Sequence, residues 1–151
     1  MDLPAPRDAA TRKADTLAKL ATPAIDVFVA TASESGAPYL IPLSLAWVDE
    51  RVVIAVDSKS VTARNLTAAG TARLAVGPTR DVVMIDAMLE RAVGVDEDEA
   101  LGAAYAAQAD WDPRGLAGYQ FLVLRPERVQ AWREVNELPG RTLMRGGTWL
   151  V

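Results

Sequence analysis

Two periodicities run along this chain, and the change from one to the other near residue 25 organises it. Over residues 8–21, Ala10, Ala14, Leu17 and Leu20 or Ala21 recur at helical spacing, with Asp8 placed to cap the start and Pro23 to end it. From Ile25 the period shortens. IDVFVATA (25–32) is apolar and β-branched and runs into the turn cluster Ser33–Gly36. YLIPLSLAW (39–47) turns Ile41, Leu43, Leu45 and Trp47 to one side and Leu40, Pro42, Ser44 and Ala46 to the other. Residues 48–51 close a hairpin onto VVIAV (52–56). Pro42 has no N–H to give a ladder, so the pattern puts it at an edge, a bulge or an opening of the sheet.

Residues 58–70 interrupt the β pattern. VTARNLTAA reads as a short helix, with Ser58 or Ser60 as its cap and Gly70 just past its end. Strands are predicted at 72–77 and 81–95, and the acidic run Asp96–Glu99 starts a helix reaching about Ala109. After a loop at 110–118, YQFLVLR (119–125) and VQAWR (129–133) read as two last strands split at Pro126. Beyond them the tail looks irregular, with Trp149 as a candidate cover for a pocket.

No repeat or linker appears, so residues 1–151 are read as one domain: a helical segment at 1–24, a barrel at 25–133 and an irregular tail at 134–151. Roughly six or seven strands with turn signals every 8–12 residues or so predict a mainly β fold, a closed antiparallel β-barrel with peripheral helices.

Composition narrows the chemistry. There is no cysteine and no histidine, which excludes thiolate sites, disulfides, imidazole ligands and the Ser-His-Asp hydrolases. A metal site would need carboxylates alone, and no EF-hand-like spacing occurs, so no metal is expected. A net charge of −4 argues against a nucleic-acid partner. No apolar run approaches the ~20 residues of a membrane span, and Met1–Lys13 lacks the apolar stretch of a secretory leader; the expectation is no membrane partner and a cytoplasmic location. Any catalysis is therefore expected to borrow its hard chemistry from a cofactor.

Two places can hold one. Ser58, Lys59, Ser60, Thr62, Arg64 and Asn65 gather hydroxyls, an amide, two cations and free N–H groups at the start of a helix, which suits a phosphate; the plainer reading is a capped helix with solvated cations. The small-residue side of the second strand, Pro42, Ser44 and Ala46, suits a flat ring, or equally a packed neighbour. Asp86 breaks an apolar strand, with Arg73, Arg80 and Arg91 as available partners and no sequence signal to choose among them.

The segments Ala30-Thr31-Ala32, Gly36-Ala37-Pro38, the strand through Pro42 and Thr62-Ala63-Arg64-Asn65-Leu66 together resemble the FMN-binding split-barrel family, the pyridoxamine 5'-phosphate oxidase-like group that includes deazaflavin (coenzyme F420) enzymes. The resemblance covers 25–90 well and 119–133 loosely. It implies a six-stranded split barrel, a homodimer with cofactor grooves between the subunits, and FMN or F420 as cofactor. It further implies that Pro42, Leu43 and Ser44 face the ring and that Ser58 to Asn65 hold the phosphate. The chain departs from the family by carrying Val61-Thr62 in place of an Arg-Lys pair, and Ile41 and Ala46 where cations are usual; Lys59 and Arg64 lie nearby as substitutes. With the substrate-phosphate histidine and arginine signature missing, true pyridoxamine-phosphate oxidase activity is not expected. The reading that follows is a flavin- or deazaflavin-dependent oxidoreductase moving hydride to or from a small planar substrate. The alternatives are a non-catalytic binder of flavin, haem or a tetrapyrrole, and a cofactor-free dimer.

Overall fold

The computed structural model describes residues 2–151; Met1, the first residue of the expected segment 1–24, lies outside them. The elements in order are α1 (Ala9–Leu20), β1 (Asp26–Ala32), β2 (Pro38–Ser44), β3 (Ala46–Val48), β4 (Arg51–Asp57), α2 (Val61–Ala69), β5 (Thr71–Val76), β6 (Val82–Gly94), α3 (Glu99–Ala109), β7 (Tyr119–Trp132), β8 (Thr142–Arg145) and β9 (Thr148–Trp149), with a 3-10 turn at Val135–Glu137 before β8.

The nine strands make one antiparallel sheet in the order β2-β1-β5-β6-β7-β4-β3, with β8 on β7 and β9 on β8. Among the described residues this path has two ends, β2 and β3. The expected mainly β, closed six-stranded barrel is thereby corrected: the fold is mixed α/β, on a nine-stranded sheet that does not close. Three local causes explain the difference. Leu45 leaves the ladder and donates its N–H to Ile25 O, which cuts the predicted strand 39–47 into β2 and β3. Pro126 does not end a strand: β7 runs through it, and a register shift opposite Asp86/Ala87 absorbs the missing donor as a bulge. The tail is not irregular, because Gly146 and Gly147 both take positive φ (60° and 76°) and close the β8–β9 hairpin.

Burial follows the sequence pattern. In β1, Val27, Val29 and Thr31 point inward and Phe28 outward, the alternation of a strand covered on one face. In β4, Val52 to Val56 are all buried, because both faces of that strand are covered. Val52, Ile54 and Val56 join the main core with Leu74, Ile85, Leu122 and Leu124. Val53 and Ala55 pack with Phe121 under α3, against Leu101 and Tyr105. Gln108 ties α3 down: its amide donates to Leu20 O at 2.7 Å and its carbonyl accepts from the Trp47 N–H at 2.7 Å. Trp149 packs against the main core and donates to Glu50. No helix among the described residues is long and apolar enough to cross a membrane.

Candidate functional site

The start of α2 is built by the loop that leaves β4. Asp57 ends the β4–β7 ladder opposite Tyr119; its carboxylate accepts the Lys59 N–H at 2.9 Å and its carbonyl the Ser60 N–H at 2.9 Å. Ser58 donates its N–H to Gly118 O, which fixes the loop from the other side. Ser60, not Ser58, is the cap: its hydroxyl accepts the Ala63 N–H, and Gly70 closes the helix in the left-handed region at φ 75°. Helix α2 lies against β1, β2 and β4, and buries Thr62, Ala63, Asn65 and Leu66.

The polar groups at this end divide into satisfied and open ones. Asn65 is buried and donates to Thr31 Oγ1 on β1 at 3.1 Å, so its amide anchors the helix. Thr62 is also buried, yet its hydroxyl has no hydrogen-bond partner. An unmade bond of this kind costs about 1–3 kcal/mol. The first two helical N–H groups, of Val61 and Thr62, have no intrahelical acceptor, and none from elsewhere among the described residues. Lys59 and Arg64 are exposed, and neither enters an ion pair among the described residues. A buried unpartnered hydroxyl, two open N–H groups and two unpaired cations at one helix end are a donor set that fits a phosphate.

The three β2 residues meet three different surroundings. Pro42 is exposed and opens into a cavity of about 310 Å³ with Phe28 and Ala75. Leu43 packs against the main core. Ser44 sits beneath α3, beside the Tyr105 phenol, whose pKa burial pushes up to about 12 against the opposing hydrogen bonds of Trp111, the Ala55 backbone and Ser44. Ser58 opens into a different cavity, of about 530 Å³, bordered by Asp96 and Glu97. Pro42 and Ser58 thus line separate cavities.

Asp86 finds its partner in Arg73 (Nε–Oδ1 2.6 Å) and a second one, Arg128 (2.7 Å). Burial works against its charge, but the two guanidiniums outweigh it and hold the carboxyl below its ordinary range. Arg128 is the residue sequence reasoning missed; the signal lay in its pairing opposite Asp86 across β6–β7, which depends on the bulge beside it. Next to this triad a cavity of about 480 Å³ opens among Ala30, Ala32, Thr71 and Met88.

The pyridoxamine 5'-phosphate oxidase family model matches residues 16–133. The chain belongs to that family. The resemblance read from residues 25–90 was thus a correct one, and the match extends it through the whole of β7. Solved structures of similar fold include an F420 reductase, 18% identical with a TM-score of 0.61 over 73% of this chain and 92% of that one. A haem-binding protein from Mycobacterium smegmatis is 22% identical with a TM-score of 0.65, over 95% of this chain and 60% of that one. A conserved hypothetical protein from Mycobacterium tuberculosis is 16% identical with a TM-score of 0.66, over 82% and 86%. The chain therefore spans less than two thirds of the haem-binding protein. No protein of curated function matches the sequence.

Proposed function

We propose that this member of the pyridoxamine 5'-phosphate oxidase family is a flavin- or deazaflavin-dependent oxidoreductase that holds FMN or F420 at the start of α2. The observation that carries the reading is the open donor set there: the buried, unpartnered Thr62 hydroxyl beside the free N–H groups of Val61 and Thr62, with Lys59 and Arg64 lacking carboxylate partners. When bound, the cofactor supplies the hydride acceptor or donor, chemistry that requires neither histidine nor cysteine. The residues have simpler tasks. Ser60 and Asp57 fix the loop, Asn65 pins the helix to β1, and Lys59, Arg64 and Thr62 bind the phosphate end. Pro42 presents a surface with no N–H to the planar end of the cofactor.

The working form in this reading is a homodimer. Pro42 and Ser58 open into separate cavities of one chain, which supports a groove completed by a second copy. The outer sheet face supports the same idea, since Leu40 is 64% exposed and Phe28 51%, side by side with Pro42 on β1 and β2.

Titration of the purified chain with FMN and with F420, followed by absorbance and fluorescence, tests the reading. Saturable binding of one of them, weakened about tenfold or more by Lys59→Ala with Arg64→Ala, is expected. Binding of neither would defeat it. Haem belongs in the same titration because one protein of similar fold is a haem-binding protein; haem bound in preference to both would move the chain to the non-catalytic reading.

A further inference from the structure

We infer that the outer face of the sheet carries a second binding site, for the anionic group of a small planar molecule, between Arg73, Arg128 and Arg141. The proposal uses none of the α2 residues; it lies on β5, β6 and β7, next to the β1–β2 patch of Phe28 and Leu40 that the dimer reading uses.

The geometry begins with register. Arg73 on β5 lies opposite Asp86 on β6, and Asp86 lies opposite Arg128 on β7, so three adjacent strands place +, − and + in one row. The bulge immediately beyond that row leaves Glu127 without a partner in the ladder, and Arg128 meets Asp86 at 2.7 Å. Bulges of this kind re-aim side chains and are over-represented beside functional sites. Arg141, carried on the turn before β8, comes to the same cavity, of about 280 Å³. Its guanidinium donates to Leu138 O and has no ion-pair partner among the described residues.

Charge makes the cavity selective. Asp86 is the one carboxylate on its wall against three arginines, an excess of two positive charges in a chain whose net charge is −4. Stability does not explain the arrangement. Asp86, Arg73 and Arg128 are 33%, 55% and 42% exposed at their side chains, and pairs so open to water contribute little to folding. What a surplus of guanidiniums in a concavity does well is grip an oxyanion through paired N–H donors. The rest of the wall suits a flat, apolar body, since Met84 and Trp132 line it. The neighbouring cavity of about 480 Å³ shares Arg73 and Asp86, so a ligand anchored on the arginines has room to extend toward Met88. The shared ligand chemistry is a phosphate or carboxylate on a planar ring.

Calorimetric titration with 4-nitrophenyl phosphate, 4-nitrobenzoate and neutral nitrobenzene tests this and separates the two anion sources. At least one of the two anions is expected to bind while nitrobenzene does not, with affinity falling as salt rises. Arg141→Gln, at an exposed position that leaves the Asp86 pairs intact, is expected to weaken the anion about tenfold or more, and Arg128→Gln to do the same. Lys59→Ala with Arg64→Ala is expected to leave this affinity unchanged, so failure here and failure of the α2 reading are told apart. Three results overturn the proposal: no binding of either anion at millimolar concentration, nitrobenzene binding as tightly as the anions, or unchanged anion affinity in both arginine variants.

Discussion

Two arginine clusters in this molecule use the same chemistry to opposite ends. In the first, Arg7, from the chain before α1, grips Glu137 in the turn before β8 with Nε at 2.9 Å and Nη2 at 2.7 Å. Glu137 is 3% exposed and also accepts the backbone N–H groups of Arg7 and Arg133. Arg12 is buried alongside and donates to the carbonyls of Ala131 and Glu137. In the second, Arg73 and Arg128 share one partly exposed carboxylate, and together with Arg141 they open onto a cavity. The first cluster is closed, with its buried carboxylate fully engaged, and it fastens the N-terminal segment to the far end of the chain. The second is open and cation-rich. The contrast teaches that an arginine cluster reads as structure or as a site according to burial and charge balance, whatever its hydrogen-bond count.

The largest effect should come from breaking the closed cluster. Glu137→Ala strips the Arg7 guanidinium of its nearest carboxylate and two backbone N–H groups of their acceptor, leaves Arg7 with Asp15 and Asp81, and should lose about 3 kcal/mol in urea unfolding. A loss no greater than that of an exposed pair would erase the distinction between the clusters. The pH dependence follows from the same residue. The Arg7 guanidinium, opposed by burial and helped by two backbone N–H groups, draws the Glu137 carboxyl down to about 2 from an ordinary 4.5. A carboxyl lowered on folding stabilises the protein above its unfolded value, and that stability is lost as pH falls through the folded one. Between pH 4.5 and 2 the wild type should therefore lose on the order of 3 kcal/mol through this group. Glu137→Gln should flatten that part of the profile, and an unchanged acid limb would assign it elsewhere.

Smaller effects sharpen the other side. Ser60→Ala removes a helix cap and should cost about 1 kcal/mol, a purely local term, with the α2 loop still held by Asp57. Asp86→Asn should cost less than about 1 kcal/mol, because its partners stay solvated, and it should raise the affinity of the open cluster for an anion severalfold. A destabilisation matching that of Glu137→Ala would make Asp86 a structural residue instead.

What could be read from the chain beforehand follows the range of each signal. Strand β1, the cap and stop of α2 and the acidic start of α3 rest on residues a few positions apart, and their boundaries fall within a few residues of expectation. The openness of the sheet depends on Leu45 leaving the ladder and β7 continuing past Pro126, both decided by neighbouring strands. The same limit governs the sites. Ser58 to Asn65 are contiguous and can be proposed together from the chain alone, whereas Arg73, Asp86, Arg128 and Arg141 meet only through the register of three strands and a turn. The Gly146-Gly147 pair was the one missed local signal, a hairpin turn inside a tail read as irregular.

The account rests on two binding places with separate cations, and a crossed titration tests it most directly. FMN or F420, whichever binds, and 4-nitrophenyl phosphate or 4-nitrobenzoate, whichever binds, are each titrated into the wild type, into Lys59→Ala with Arg64→Ala, and into Arg128→Gln with Arg141→Gln. The prediction is a crossed pattern: cofactor affinity falls about tenfold or more only in the first variant, and anion-probe affinity only in the second. Loss of both affinities in the same variant, or of neither in either, would contradict it.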